Sequence, residues 1–196
     1  MTKNNTKKLA TVALLAAAIV VLQLMASSIR IGPHTISLSL IPIVVGAIVC
    51  GPLAGCFLGA VSATIITIAS VTGADQGGLL MVQYNPVACI AMIYLKTSLA
   101  GLISGLVYRM IAPKNEMVAV FVASILVPII NTGIFTLGVL TIFRPLVEGW
   151  AAAAGASSVI YYVFIIMIGM NFVLEVLINA LLAPVVARVL KSVGRM

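Results

Sequence analysis

Apolar runs long enough to cross a bilayer follow one another along this chain, separated by short breaks rich in charge, Gly or Pro. The first covers about 9–28, with no formal charge between Lys8 and Arg30. A bilayer core about 30 Å thick is crossed by roughly 20 residues of helix rising 1.5 Å each. Marking breaks at charges, Gly and Pro gives five further spans, at about 35–49, 53–71, 87–108, 117–143 and 158–187. The second is short and interrupted by Pro42, and Cys50-Gly51-Pro52 reads as a tight turn after it. Polar connections are expected from Thr72 to Pro86, and an Ala-rich one, Ala151–Ala156, beside Trp150. The pattern predicts an all-α integral membrane bundle of six transmembrane helices, a single membrane domain over residues 1–196.

Composition agrees with the pattern: 63% of residues are hydrophobic and 8% charged, with mean hydropathy +1.28. Six spans leave no length for a soluble catalytic domain. A net charge of +7 raises the question of nucleic acid, but the basic residues stand at span ends and act as topology signals. Lys3, Lys7, Lys8, Arg109, Lys114, Arg188, Lys191 and Arg195 fall on one side, Arg30 and Arg144 on the other. The excess places both termini in the cytoplasm. The first apolar run exceeds the 7–15 residues of a cleaved signal core, so a retained helix is expected. Cys50, Cys56 and Cys89 lie in apolar segments at no metal or redox spacing and read as packing residues.

Small residues recur at helical spacing in the N-terminal half. Ala13 and Ala17 lie on one face of the first helix, and Gly51, Gly55 and Gly59 on one face of the third. Such faces admit a close helix neighbour, from this chain or from a partner subunit.

The polar residues at membrane depth are expected in the C-terminal half. Lys96 stands roughly 15 Å into the fourth span, where a charge costs about 2.5–3.5 kcal/mol and must face protein or a wet cavity. Asn131 lies mid-span between Pro128 and Gly133, and Asn171, Glu175 and Asn179 form a stripe recurring every fourth residue. Interhelical hydrogen bonding accounts for asparagines in such places, and a buried pair for Lys96 and Glu175. The alternative is a pocket for a small organic acid, with Lys96, Asn131 and Asn171 joined by Tyr84, Asn85 and Tyr94. Arg30 and Arg144 then draw an anion toward the mouth. His34 is expected in an outer gate or a structural position, and Glu175 and Asn179 in structure or coupling. No metal-ligating cluster, nucleophile–base pair or phosphate loop is present in the sequence, so no enzyme activity, metal or cofactor is expected.

The ordered set of motifs resembles a known family. A basic N-terminus leads into the helix of Ala13 and Ala17. Then come Ile36–Ile43, Gly51–Gly55, Leu99–Leu102 before Tyr108-Arg109, Val127–Gly133, and finally Glu175 with Asn179. Together they resemble the substrate-binding S component of energy-coupling factor (ECF) vitamin transporters, most nearly its pantothenate-type branch. The resemblance implies a subunit of a bacterial cytoplasmic membrane that captures a water-soluble vitamin on the outer face. Pantothenate is favoured, with folate, riboflavin or another vitamin open. It also implies docking through Ala13 and Ala17 on a membrane coupling subunit that carries two ATPases, toppling within the membrane, and a gate at about 28–37. The alternatives are an autonomous ion-coupled carrier using Lys96 and Glu175, and a membrane scaffold that binds no ligand.

Overall fold

A computed structural model describes residues 3–26, 30–31, 34–35 and 37–192. The helix α1 (Lys3–Ala26) is followed by a two-residue antiparallel pairing of β1 (Arg30–Ile31) with β2 (His34–Thr35). Then come α2 (Leu40–Val49), α3 (Pro52–Thr72), α4 (Gln76–Tyr84), α5 (Pro86–Ile111), α6 (Glu116–Thr141) and α7 (Arg144–Ala153). A final rod begins as α8 (Val159–Tyr161), passes through a π-helical segment (Tyr162–Met167) and continues as α9 (Gly169–Ser192). Among the described residues five stretches are long and apolar enough to cross a membrane, and α2 is a shorter apolar helix. The expected all-α membrane bundle is the architecture found.

The second span differs from its expected 35–49. Helix begins only at Leu40, which puts Pro42 in the first turn, where its missing N–H breaks no intrahelical bond. At about 15 Å, α2 reaches halfway through a bilayer core, yet Leu40, Ile43, Val44, Ala47 and Ile48 are all buried. The turn after it is as expected: Gly51 adopts φ +104° and Pro52 opens α3. Part of the expected polar connection is helical. In α4, Gly77, Gly78 and Met81 are buried, and Asn85 then caps α5 by accepting from the Ala88 N–H at 3.1 Å. Likewise α7 takes up the start of the Ala-rich stretch, burying Val147 and Ala151. Both short helices sit at the end of the bundle reached by the C-termini of α3 and α6, the mouth end hereafter.

Helices α3 and α5 make the most extensive contact, followed by α5 with α6 and α6 with α9. Glycine controls the first of these. A Cβ at Gly55 would stand 2.7 Å from the Gly101 carbonyl oxygen, and one at Gly59 would overlap the Thr97 carbonyl. The glycine face of α3 is therefore occupied by α5. That corrects the partner-docking role expected for Gly55 and Gly59, while Gly51 serves the turn beside Arg109. Gly59→Val is expected to destabilise the bundle by about 3 kcal/mol, the upper end for overpacking, read as a lower melting temperature in detergent. Gly133→Ala, with no atom within 4 Å of the added methyl, is the control expected to melt no lower than the parent.

Two apolar clusters form the interior. One joins α1, α2, α3, α5, α6 and α9 around Ile19, Ile43, Leu58 and Val127. The other lies toward the mouth, around Met81, Met92, Phe143 and Val163. Helix α1 is peripheral: Ile19 and Gln23 are buried, while Leu9, Ala13, Leu14, Ala17 and Val21 are exposed.

Candidate functional site: a polar hollow between the two cores

A cavity of about 240 Å³ lies at the seam of the two clusters. Ile65 packs toward the first, and Ile66, Phe135 and Phe172 toward the second. Its polar lining comprises Lys96 from α5, Asn131 and Thr132 from α6, Asn171 and Glu175 from α9, Gln23 from α1, Ser37, and Thr72 and Asp75 at the α3–α4 connection.

Helix phase explains the grouping. Asn131 and Phe135 are one turn apart on α6, and Ile168, Asn171, Phe172 and Glu175 follow the i, i+3, i+4, i+7 spacing of one face. The π-helical segment ends just before these residues, and the N–H of Ile168 reaches back to the Val163 carbonyl at 3.0 Å. This wider turn sets the phase in which α9 presents its polar face. Gly169 belongs to the same device, since a Cβ there would lie 2.7 Å from the Phe164 carbonyl oxygen. π-turns within helices are frequent at functional sites.

Lys96 is half-buried and its Nζ stands 4.9 Å from the centre of the Phe135 ring, a cation–π contact that offsets part of the cost of charge at this depth. Glu175 is 5% exposed. One of its carboxylate oxygens accepts the Ser37 N–H at 3.0 Å, tying α9 to the segment leading into α2. Lys96 and Glu175 line one hollow without forming an ion pair; among the described residues the ion pair is Arg144–Glu148, 2.9 Å, on the surface of α7. Asn179, a turn beyond Glu175, donates its amide to the Glu175 backbone carbonyl at 2.8 Å and lies outside the hollow.

Three residues expected in the pocket stand elsewhere. Tyr94 is two residues from Lys96, about 200° around the helix, and faces outward with its hydroxyl 2.9 Å from that of Thr64. Tyr84 is half-exposed, its ring 6.1 Å from that of Phe143, and Asn85 is spent as the cap of α5. Of Arg30 and His34 only the backbone is described, so the roles expected of their side chains lie outside the described residues, as do parts of the expected gate.

The hollow also draws on the N-terminal half, against the expected division into a docking half and a ligand half. Gln23 and Asp75 were not expected in it, and Ser37 only as the end of the expected gate. Gln23 had a signal: it is the one polar residue between Thr11 and Ser27. Asp75 had none, because only the fold brings its connection over the cavity, while Ser37 ends the stretch expected as a gate. Among the described residues no three His, Cys, Asp or Glu side chains cluster to hold a metal.

A family model described as the ECF transporter, substrate-specific component, matches residues 7–187. Comparison with curated proteins and with solved structures gives no match. With nearly the whole chain matched, this multi-pass membrane protein belongs to the substrate-specific components of ECF transporters, transport subunits that take a small-molecule substrate and work with a membrane coupling module and its ATPases.

Proposed function

We propose that this chain captures a small water-soluble vitamin, pantothenate by preference, in the hollow between its two cores. Delivery follows by docking on the coupling subunit through the Ala13/Ala17 face of α1. The observation that carries the reading is the convergence of Lys96, Asn131, Asn171 and Glu175 on one cavity flanked by Phe135 and Phe172. Polar groups this expensive at membrane depth mark a substrate path when they share a cavity. Lys96 meets the carboxylate of the vitamin, the asparagine amides meet its amide and hydroxyls, and the phenyl rings cover its methyl-bearing carbon. A volume of about 240 Å³ is below the roughly 300–1,000 Å³ of pockets for drug-sized ligands. That supports a compact solute over folate or riboflavin.

The exposure of Ala13 and Ala17, on a helix with few buried residues, supports the docking half of the reading. The excess of Lys and Arg on the side of the termini supports placing them in the cytoplasm of a bacterial cell, so the mouth end faces outward. Native mass spectrometry of the purified chain is expected to show a retained ligand of the mass of pantothenate. A bare chain that also fails to bind any water-soluble vitamin would overturn the reading in favour of a scaffold.

A second reading has one observation in its favour: Lys96 and Glu175, opposite in charge, share the hollow unpaired with each other. This suits an autonomous proton-coupled carrier. Pantothenate uptake by vesicles containing the chain without any ATPase would establish it.

A further inference from the structure

Around the hollow, buried acceptors of the protein stand without a donor. The strongest donor is the Lys96 ammonium, which forms no ion pair among the described residues. Facing the same space are the carboxylates of Asp75 and Glu175, together with Asn131 and Gln23. The Oδ1 of Asn131 and the Oε1 of Gln23 are buried with no hydrogen-bond partner, in side chains 4% and 8% exposed.

Gln23 is the telling member. It sits on α1, the peripheral helix, one turn beyond the fully buried Ile19 and on the same side. An apolar residue would complete that contact without leaving a polar group unpaired. A buried acceptor left without a donor is costly, and a ligand donor in the hollow would relieve that cost.

On the reading that this hollow is the substrate site, we infer that Gln23 is a specificity-determining contact that accepts a hydrogen bond from a ligand N–H or O–H. The ligand is then an acid with its carboxylate at Lys96 and several hydrogen-bond donors along the flank facing α1 and α6. A donor-poor anion leaves the oxygens of Gln23 and Asn131 without a donor. A ligand with hydroxyl and amide N–H groups satisfies them, and the discrimination comes from the penalty on unpaired groups.

The test uses the full chain in detergent, comparing the parent with Gln23→Leu. Melting temperatures are recorded with pantothenate, biotin, nicotinate, riboflavin, folate and thiamine, and the Kd of any ligand that raises the melting temperature is measured by calorimetry. Pantothenate is the acid bearing both hydroxyl and amide donors, nicotinate the donor-poor acid, and thiamine has no acid group. The expected result is stabilisation of the parent by pantothenate and none by nicotinate. Gln23→Leu is expected to weaken pantothenate binding about tenfold, the upper range for one neutral hydrogen bond, while its ligand-free melting temperature equals or exceeds that of the parent. A lower ligand-free melting temperature with unchanged affinity would assign Gln23 to structure and overturn the inference, leaving the site reading intact. Preference for nicotinate or thiamine would overturn the ligand class. No response of the parent to any of the six would remove the site reading and this inference together.

Discussion

Tryptophan in place of Ala13 is expected to abolish uptake by the assembled transporter while leaving ligand capture by the isolated chain unchanged. Ala13 is exposed on α1 in line with Ala17, Leu14 and Val21, a smooth stripe that no other described helix covers. Small side chains at this spacing let a partner helix approach to backbone contact, where packing supplies most of the association energy between helices in lipid. An indole at the centre of that contact holds the two helices apart. Capture is spared because Gln23, which reaches the hollow from the same helix, stands ten residues away, about 15 Å along the axis. The measurement pairs uptake in proteoliposomes holding the complete transporter with calorimetry on the isolated variant. Undiminished uptake by Ala13→Trp would mean that the stripe faces lipid. Loss of capture as well would mean that the substitution disturbs the fold.

The second large effect concerns Lys96. Its removal as Lys96→Ala is expected to weaken pantothenate binding by about 1.5–3 kcal/mol, the range for a hydrogen bond to a charged group, or roughly 10- to 150-fold in Kd. Among the described residues the ammonium forms no ion pair, and it rests against the Phe135 ring, open to a ligand carboxylate. Lys96→Met keeps most of the stem while deleting the charge, and a matching loss in both variants separates charge from packing. Because the apo chain bears the expense of an intramembrane charge, both variants are expected to melt at or above the parent temperature without ligand. Affinity unchanged in Lys96→Met would take the acid-binding role away from this residue.

Much of the fold was legible as pattern. Spans three to six are close to the expected bounds because apolar length and Gly/Pro breaks respond to the bilayer and the backbone alone. The turn at Gly51 was legible for the same reason, a local conformation demanding a local residue type. Helices α4 and α7 were not. Each is short and mixed in polarity, and each is helical because one face, Met81 or Val147, is buried against neighbours that the local pattern does not name. The second span starts later than its apolar pattern predicts, at Leu40, where the first turn of the helix tolerates Pro42.

For the candidate site, the sequence by itself determined which side chains were too expensive for lipid: Lys96, Asn131, Asn171 and Glu175 had to face inward wherever the helices stood. Helix phase, which sets Tyr94 about 200° from Lys96, sends Tyr94 outward. Only the tertiary structure decided that the inward groups meet in one hollow and that Gln23, Ser37 and Asp75 join them. It also decided that the glycine face of α3 belongs to α5 while the alanine face of α1 stays uncovered. The physical reason is that burial cost is a property of a residue and its depth, whereas convergence and packing depend on which helices become neighbours, and that choice is made by contacts between residues far apart in the chain.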